Sequence, residues 1–358
     1  MQIDTKAPTL RAGRGVLKWI GRIAGAILAL LLVAATIAGM REFFVERNDR
    51  ARFPLQGRRV DIGGYSLNLN CKGEGSPTVI LESGWSVPGV SWSLVQPEIA
   101  RFARVCSYDR AGYGWSDEGP MPRTADEIAR ELHALLHNAG ITPPYILAGH
   151  SLGGYVIRCF RGMYPAEVVG MVLVDPSQED MNALTPVDLT EAYREQVNQI
   201  KKFDRFIPLL VRLGLVRKMV REQQEDYKLT PELLEEVVYL SSQPKALRAM
   251  VSEMDAVLDD NEDAKEVRTY GSAPGSFGAL PLIVVSARYT LQGTSVEGIN
   301  GFLRTVVTDL HPRIVRLSTK GKQTIVDGSH FIPFENPHVV IAAIREVRDA
   351  ATAEHSDK

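Results

Sequence analysis

The pentapeptide Gly149-His150-Ser151-Leu152-Gly153 constrains the fold more than any other segment of this chain. An apolar run at 145–148 precedes it and a helix-like stretch at 154–160 follows it, which predicts a strand, a tight turn and a helix. Glycine on both sides of the serine suits a turn too tight for flanking side chains. In this context G-x-S-x-G indicates a nucleophile elbow, in which a strained backbone holds the serine hydroxyl in a cleft. The alternative is a glycine-rich turn with an inert serine.

An uninterrupted apolar stretch of 18 residues occupies positions 23–40 near the N terminus. As a helix it spans about 27 Å, close to the thickness of the hydrocarbon core of a bilayer. Basic side chains precede it, namely Arg11, Arg14, Lys18 and Arg22. We therefore expect a single-pass signal anchor, with the globular part outside the cytoplasm. A cleaved signal peptide is the alternative, since the small residues at 36–39 fit a cleavage site.

Strand-like and helix-like segments alternate through most of the remaining chain. Continuous apolar strands between helices predict a mostly parallel sheet that is covered on both faces. From 177 to 278 the sequence instead shows dense charges and helical spacing, which predicts a helical insertion. The predicted strands lie at 59–70 (a hairpin), 77–82, 104–109, 145–148, 168–174, 281–286, 313–317 and 323–326.

Composition excludes several classes of function. The net charge is −2, and no block of Lys or Arg stands out in the globular part, so nothing indicates binding to nucleic acid. The three cysteines form no C-x-x-C pair, and His133 and His137, one helical turn apart, have no evident third ligand. We therefore predict neither a metal nor a cofactor.

Three ordered motifs together resemble the α/β-hydrolase superfamily. They are the elbow at 149–153, the glycine-rich segment at 107–117 and the segment Gly328-Ser329-His330 that continues to 337. The resemblance implies an eight-stranded, mostly parallel, doubly wound sheet with a helical cap inserted after the sixth strand. The expected segments are a basic part at 1–22, a transmembrane helix at 23–40, a linker at 41–58, the hydrolase core at 59–176 and 279–350, the cap at 177–278 and a disordered tail at 351–358.

The resemblance assigns a role to each candidate catalytic residue. Ser151 is the expected nucleophile and His330 the expected base. The acid is open between Asp175 and Glu297, and we favour Asp175, which follows a strand and preserves the order Ser, Asp, His. Asp175 as a capping residue at the entrance to the insertion is the alternative to a catalytic role. The side chain of His150 is expected to point away from Ser151.

The expected oxyanion hole consists of the backbone N–H groups of Leu152 and Trp85. Relatives usually carry His-Gly just before the second donor, whereas this chain has Ser83-Gly84, so the support of that loop differs. Asp109 and Arg110 are interpreted as structural ties behind the site.

These roles predict a serine hydrolase that cleaves a carboxylic ester or related acyl bond of a small or lipid-like substrate. Serine rather than aspartate at the elbow argues against epoxide-hydrolase chemistry, which needs an alkylated carboxylate. A catalytically inactive, membrane-tethered ligand-binding protein with the same fold is the alternative. Cys71 and Cys106 fall on strands that would be neighbours, as a disulfide or as two free thiols. The apolar, basic-flanked stretch at 201–218 is interpreted as an acyl pocket, a membrane-leaning lid or an ordinary core-covering helix.

Overall fold

The computed structural model describes residues 14–224, 229–258, 262–291 and 296–356. Positions 1–13 of the predicted basic segment and positions 357–358 of the predicted tail lie outside the described residues. The strands are β1 (Arg58–Asp61), β2 (Ser66–Lys72), β3 (Thr78–Glu82), β4 (Val105–Asp109), β5 (Tyr145–His150), β6 (Val168–Val174), β7 (Leu282–Arg288) and β8 (Gly321–Asp327).

These strands form one sheet in the order β1-β2-β4-β3-β5-β6-β7-β8. The pairs β1–β2 and β2–β4 are antiparallel, and the other pairs are parallel. The central strands β3, β4 and β5 are buried along their whole length, because helices cover both faces of the sheet. The predicted fold class is confirmed.

Helices lie before, between and after the strands. They are α1 (Arg14–Arg52), α2 (Gln96–Ile99), α3 (Ala125–Asn138), α4 (Gly153–Met163), α5 (Met181–Leu184), α6 (Val187–Phe203), α7 (Ile207–Arg212), α8 (Leu215–Gln224), α9 (Pro231–Ser241), α10 (Pro244–Leu258), α11 (Glu262–Thr269), α12 (Ile299–Thr305), α13 (His311–Val315), α14 (Ile332–Glu335) and α15 (Pro337–Ser356). Helices α5 to α11 lie between β6 and β7, where the sequence predicts the cap.

Three local expectations are wrong. The segment 313–317 is not a strand, because α13 begins with Pro312 in its first turn and directs the helically spaced Ile314 and Leu317 into the core. The expected linker at 41–58 is helical as far as Arg52, where α1 ends. The expected disordered tail continues α15 to Ser356, with Ala351 buried.

Helix α1 is, by length and composition, apolar enough to cross a membrane, and its apolar window is not buried against the rest of the chain. Cys71 on β2 and Cys106 on β4 are register partners, and their sulfurs are bonded in a disulfide. The disulfide alternative of the sequence analysis is therefore the one observed. Cys159 is a buried free thiol on α4.

Candidate active site

Ser151 occupies a sharp turn between β5 and α4. Its φ is +53°, a left-handed conformation that costs free energy for a residue other than glycine. A Cβ at Gly149 would lie 2.6 Å from the carbonyl oxygen of Gly153, and one at Gly153 would lie 2.7 Å from that of Ser83. Both flanks of the serine therefore require glycine, and the turn matches the predicted elbow.

Three side chains that are far apart in the sequence meet at one edge of the sheet. Nε2 of His330 lies 2.9 Å from Oγ of Ser151, and Nδ1 of His330 lies 2.6 Å from Oδ2 of Asp175. They follow β5, β6 and β8, and the carboxyl ends of parallel strands share one edge. The structure brings Asp175 to His330, whereas Glu297 is an exposed residue just before α12.

The carboxyl group of Asp175 is fixed by two hydrogen bonds. The residue has a φ of +41°, and its Oδ1 accepts the backbone N–H of Ala287 at 2.9 Å. Burial raises the pKa of Asp175, but its hydrogen bonds and charge interactions, those with His330 foremost, together outweigh burial and hold that pKa below its usual range. The ionised carboxylate accepts a hydrogen bond from Nδ1–H of His330, which leaves Nε2 as an acceptor facing the Ser151 hydroxyl.

Trp85 and Leu152, the two residues predicted as oxyanion donors, line the same cavity as Ser151 and His330. Leu152 follows the serine at the start of α4, and Trp85 lies in the loop after β3. The indole N–H of Trp85 donates to the carbonyl oxygen of Met250 on α10 at 2.9 Å. The cap therefore holds the loop that carries Trp85.

Arg110 also holds the loop that carries Trp85. Its guanidinium donates to the carbonyl oxygens of Ser83 and Gly84, at 2.7 Å each, and to the carboxylates of Glu82 and Glu253. These bonds use all five N–H groups of the side chain, which is 1% exposed. The predicted role of Arg110 as a structural tie fits this geometry, but sequence reasoning missed Glu253, because it comes from α10 in the cap.

Sequence reasoning placed His150 in the elbow but missed its contact with His330. Its Nε2 donates to the backbone carbonyl of His330 at 2.9 Å, and the two rings lie 4.8 Å apart. Burial lowers the pKa of His150 to about 3, so the ring is neutral near pH 7 and donates through a single N–H. Its position inside the elbow was the only sequence signal for this contact.

His311 supports the turn after Asp175. This buried side chain donates through Nε2 to the carbonyl oxygen of Pro176 at 3.0 Å and accepts at Nδ1 from the hydroxyl of Ser286 at 2.8 Å. Burial lowers the pKa of His311, which favours this neutral form. No motif surrounds His311 in the sequence, so its role depends on tertiary contacts alone.

Comparison with known proteins identifies the family of this chain. The model of the "Alpha/beta hydrolase family" matches residues 79–343, a stretch that holds the elbow, Asp175 and His330. The chain belongs to the α/β-hydrolase family. Among curated relatives, this α/β hydrolase is 29% identical over 283 residues to the uncharacterized protein YqjL of Bacillus subtilis (strain 168), covering 78% of this chain and 87% of that protein.

Solved structures share the fold of this α/β hydrolase. An esterase from Thermogutta terrifontis superposes with a TM-score of 0.58 at 20% identity, covering 83% of this chain and 99% of the esterase. The epoxide hydrolase CorEH superposes with a TM-score of 0.60 at 19% identity, covering 81% and 97%. Because the identities are low and the two neighbours differ in named activity, they support the fold and leave the reaction to be argued from the site.

Two cavities of the hydrolase meet at Ser151 and His330. The first, of about 370 Å³, lies towards α12, and the second, of about 310 Å³, lies under the loop of Trp85. Tyr193 of α6 borders both. Most of the other lining side chains are apolar; they include Leu189, Phe302, Leu303 and Val307 in the first cavity and Val87, Met254, Leu258 and Phe334 in the second.

Proposed function

We propose that this protein is a membrane-anchored serine hydrolase that cleaves a carboxylic ester or a related acyl bond. The observation that carries the proposal is the continuous chain of hydrogen bonds from Ser151 through His330 to the ionised Asp175. Hydrogen-bonded serine, imidazole and carboxylate in this order are the arrangement that activates a hydroxyl near neutral pH. Family membership supports hydrolysis independently.

In the proposed reaction, Oγ of Ser151 attacks the ester carbonyl while Nε2 of His330 takes the hydroxyl proton. The backbone N–H groups of Leu152 and Trp85 stabilise the negative charge on the carbonyl oxygen. The protonated His330, held by Asp175, then gives its proton to the departing alkoxide, which leaves as the alcohol. Water, deprotonated by His330, attacks the acyl-enzyme and releases the carboxylic acid and free Ser151.

The two cavities support a substrate with apolar groups on both sides of the scissile bond. Their apolar linings meet at Ser151, so an acyl chain and an alcohol group each have a separate cavity to occupy. Among the described residues that line the two cavities, the one Asp, Glu, Lys or Arg side chain is Asp175 of the proposed triad. A neutral ester with two apolar arms, such as a lipid-like ester, is therefore the substrate class we propose.

Helix α1 supports an anchored protein, and we place the catalytic part outside the cytoplasm. The disulfide between Cys71 and Cys106 supports the same location, because disulfides persist in oxidising compartments. Thiol blocking of native membranes before lysis should leave this pair unalkylated. Complete alkylation of both cysteines would contradict the proposed compartment.

Labelling with a fluorophosphonate probe tests the proposed nucleophile. We expect the wild-type protein to be labelled and Ser151→Ala to be unlabelled, because the probe needs an activated serine. Ser177→Ala is the matched control, since Ser177 borders the same cavities and should not affect labelling. Folded wild-type protein that resists the probe and hydrolyses no p-nitrophenyl ester would instead favour the ligand-binding alternative.

A further inference from the structure

Helix α1 continues beyond its apolar stretch and docks on the cap. Arg217 of α8 donates to Glu42 at 2.7 Å and forms an ion pair with Asp49 at 2.8 Å. All three side chains are at most 9% exposed. One helical turn further, Phe53 packs on Tyr239 of α9. Moving the cap away from α1 would leave buried charges without their partners, which costs free energy. These contacts therefore hold the cap against α1.

Because the cap contacts α1 just after the apolar stretch, the cap helix α7 lies beside the end of that stretch. A Cβ on Gly39 would lie 3.8 Å from the backbone oxygen of Arg212, the last residue of α7. Gly39 belongs to the apolar run 23–40, and Glu42 lies only about 4.5 Å further along the helix axis. A bilayer that encloses residues 23–40 therefore has its surface at the level of α7.

The side chains around α7 have the composition of a membrane-surface helix. Four large apolar residues are 40–53% exposed, namely Phe203, Phe206, Leu209 and Leu215, and we call this set the cap face. Exposed basic residues accompany it, including Lys202, Arg205, Arg212 and Lys218. Exposed apolar side chains with neighbouring cations are typical of helices that lie in the headgroup region of anionic membranes.

We propose that the cap face lies in the headgroup region of the bilayer that α1 crosses. The inference rests on the membrane anchoring proposed above, and the continuity between Gly39 and α7 argues for this bilayer as the occupant. Phe43 and Phe44 of α1, each about 60% exposed, extend the same apolar surface at the interface.

The cap face is connected to the active site through α6. This helix borders both cavities at Tyr193 and ends in the cap face at Phe203, about 15 Å further along its axis. Helix α6, which borders the cavities at one end, therefore reaches the lipid surface at its other end. Substrates that partition into the membrane, as expected for an ester with two apolar arms, are concentrated next to the helix that covers the catalytic serine.

Single-cysteine labelling of the full-length protein in vesicles tests the inference. The probe is an environment-sensitive fluorophore, and the vesicles contain phosphatidylcholine and phosphatidylglycerol with bromine, a quencher, along the acyl chains from the headgroup end to the bilayer centre. Cys159 is buried and Cys71 is bonded to Cys106, so an introduced thiol is the reactive one. The three variants are Leu30→Cys within the apolar stretch, Leu209→Cys on the cap face and Ile325→Cys on β8.

We expect quenching at positions 30 and 209 but not at 325. Ile325 is the matched control, because it is an apolar residue of similar exposure, 47% against 53% for Leu209, on the last strand of the sheet. Quenching at 30 with none at 209 would overturn the inference and leave anchoring intact. Absence of quenching at 30 would refute anchoring and the inference together. Ester hydrolysis by the same samples reports the proposed activity independently of both.

Discussion

Replacing Asp175 with asparagine conserves the size of the side chain but should change Nδ1 of His330 from a hydrogen-bond donor to an acceptor. In the wild-type protein Oδ1 of Asp175 accepts the N–H of Ala287, and Oδ2 accepts Nδ1–H of His330. The asparagine oxygen can keep the first bond, which turns its amide nitrogen towards the imidazole. Because that nitrogen donates, Nδ1 of His330 must accept, and the ring proton moves to Nε2. Nε2 then faces Ser151 with a proton and cannot receive another.

The expected loss in kcat is about 10⁴-fold, the effect typical of a triad imidazole held in the wrong tautomer. This corresponds to about 5 kcal/mol of transition-state stabilisation. KM should stay within about twofold, because the new side chain fills the same volume at the junction of the cavities. Glu297→Gln, the matched control on the other candidate acid, should retain wild-type kcat, since Glu297 is exposed and lies outside the hydrogen bonds of His330 described above.

Steady-state hydrolysis of a p-nitrophenyl ester by the purified full-length variants measures both effects. Thermal unfolding of each variant establishes that the fold is retained. A folded Asp175→Asn variant with kcat within about tenfold of wild type would refute the tautomer argument. Loss of activity in Glu297→Gln would move the acid to that residue.

Three further predictions concern His150, Asp263 and the two cavities. His150→Phe keeps an aromatic ring but removes the donor to the His330 carbonyl, so kcat should fall about five- to tenfold at unchanged KM; a change confined to KM would contradict this positioning role. Burial raises the pKa of Asp263 to about 7, so its carboxyl group destabilises the fold progressively as pH rises from the unfolded value near 4 through 7. Asp263→Asn should therefore raise the free energy of unfolding by up to about 4 kcal/mol near pH 8 and leave it unchanged near pH 4, as measured by urea denaturation; equal effects at both pH values would contradict the assignment. Leu303→Trp and Leu258→Trp each fill one cavity and should each lower kcat/KM by about tenfold or more, one for esters with long acyl chains and the other for esters of bulky alcohols; loss in the same series for both would contradict separate cavities.

The strands and the elbow could be predicted from sequence because their signals are local. Continuous apolar runs specify β3, β5 and β6, and the glycines at 149 and 153 are required by contacts within the turn itself and with the end of β3. A local signal also gave the wrong prediction of a strand at 313–317. The apolar residues at 314, 315 and 317 fit a strand as well as a helix, and only packing beneath β7 and the proline in the first turn decide for α13.

The C-terminal end of α1 could not be predicted, because it depends on the burial of Glu42 and Asp49 against the cap. An acidic and arginine-rich segment after an apolar helix has the composition of a solvated linker. Its helical conformation is stabilised by Arg217, far away in the cap, through ion pairs that no local pattern announces. The disulfide differs, because the resemblance to a known fold predicts that the strands of Cys71 and Cys106 are neighbours.

The candidate catalytic residues and the side chains that support them differ in the same way. Ser151 and His330 lie in motifs, and strand order brings Asp175 to the same edge of the sheet. The loop of Trp85 has lost the histidine usual before its glycine, yet Ser83 and Gly84 are held by Arg110, whose charge is balanced by Glu82 and by Glu253 of the cap. That pairing joins residues 143 positions apart, so sequence alone could raise the question of how the loop is held but could not answer it. Since one guanidinium binds both the loop and α10, movement of the cap away from the core would break these bonds and remove this support from the proposed oxyanion site.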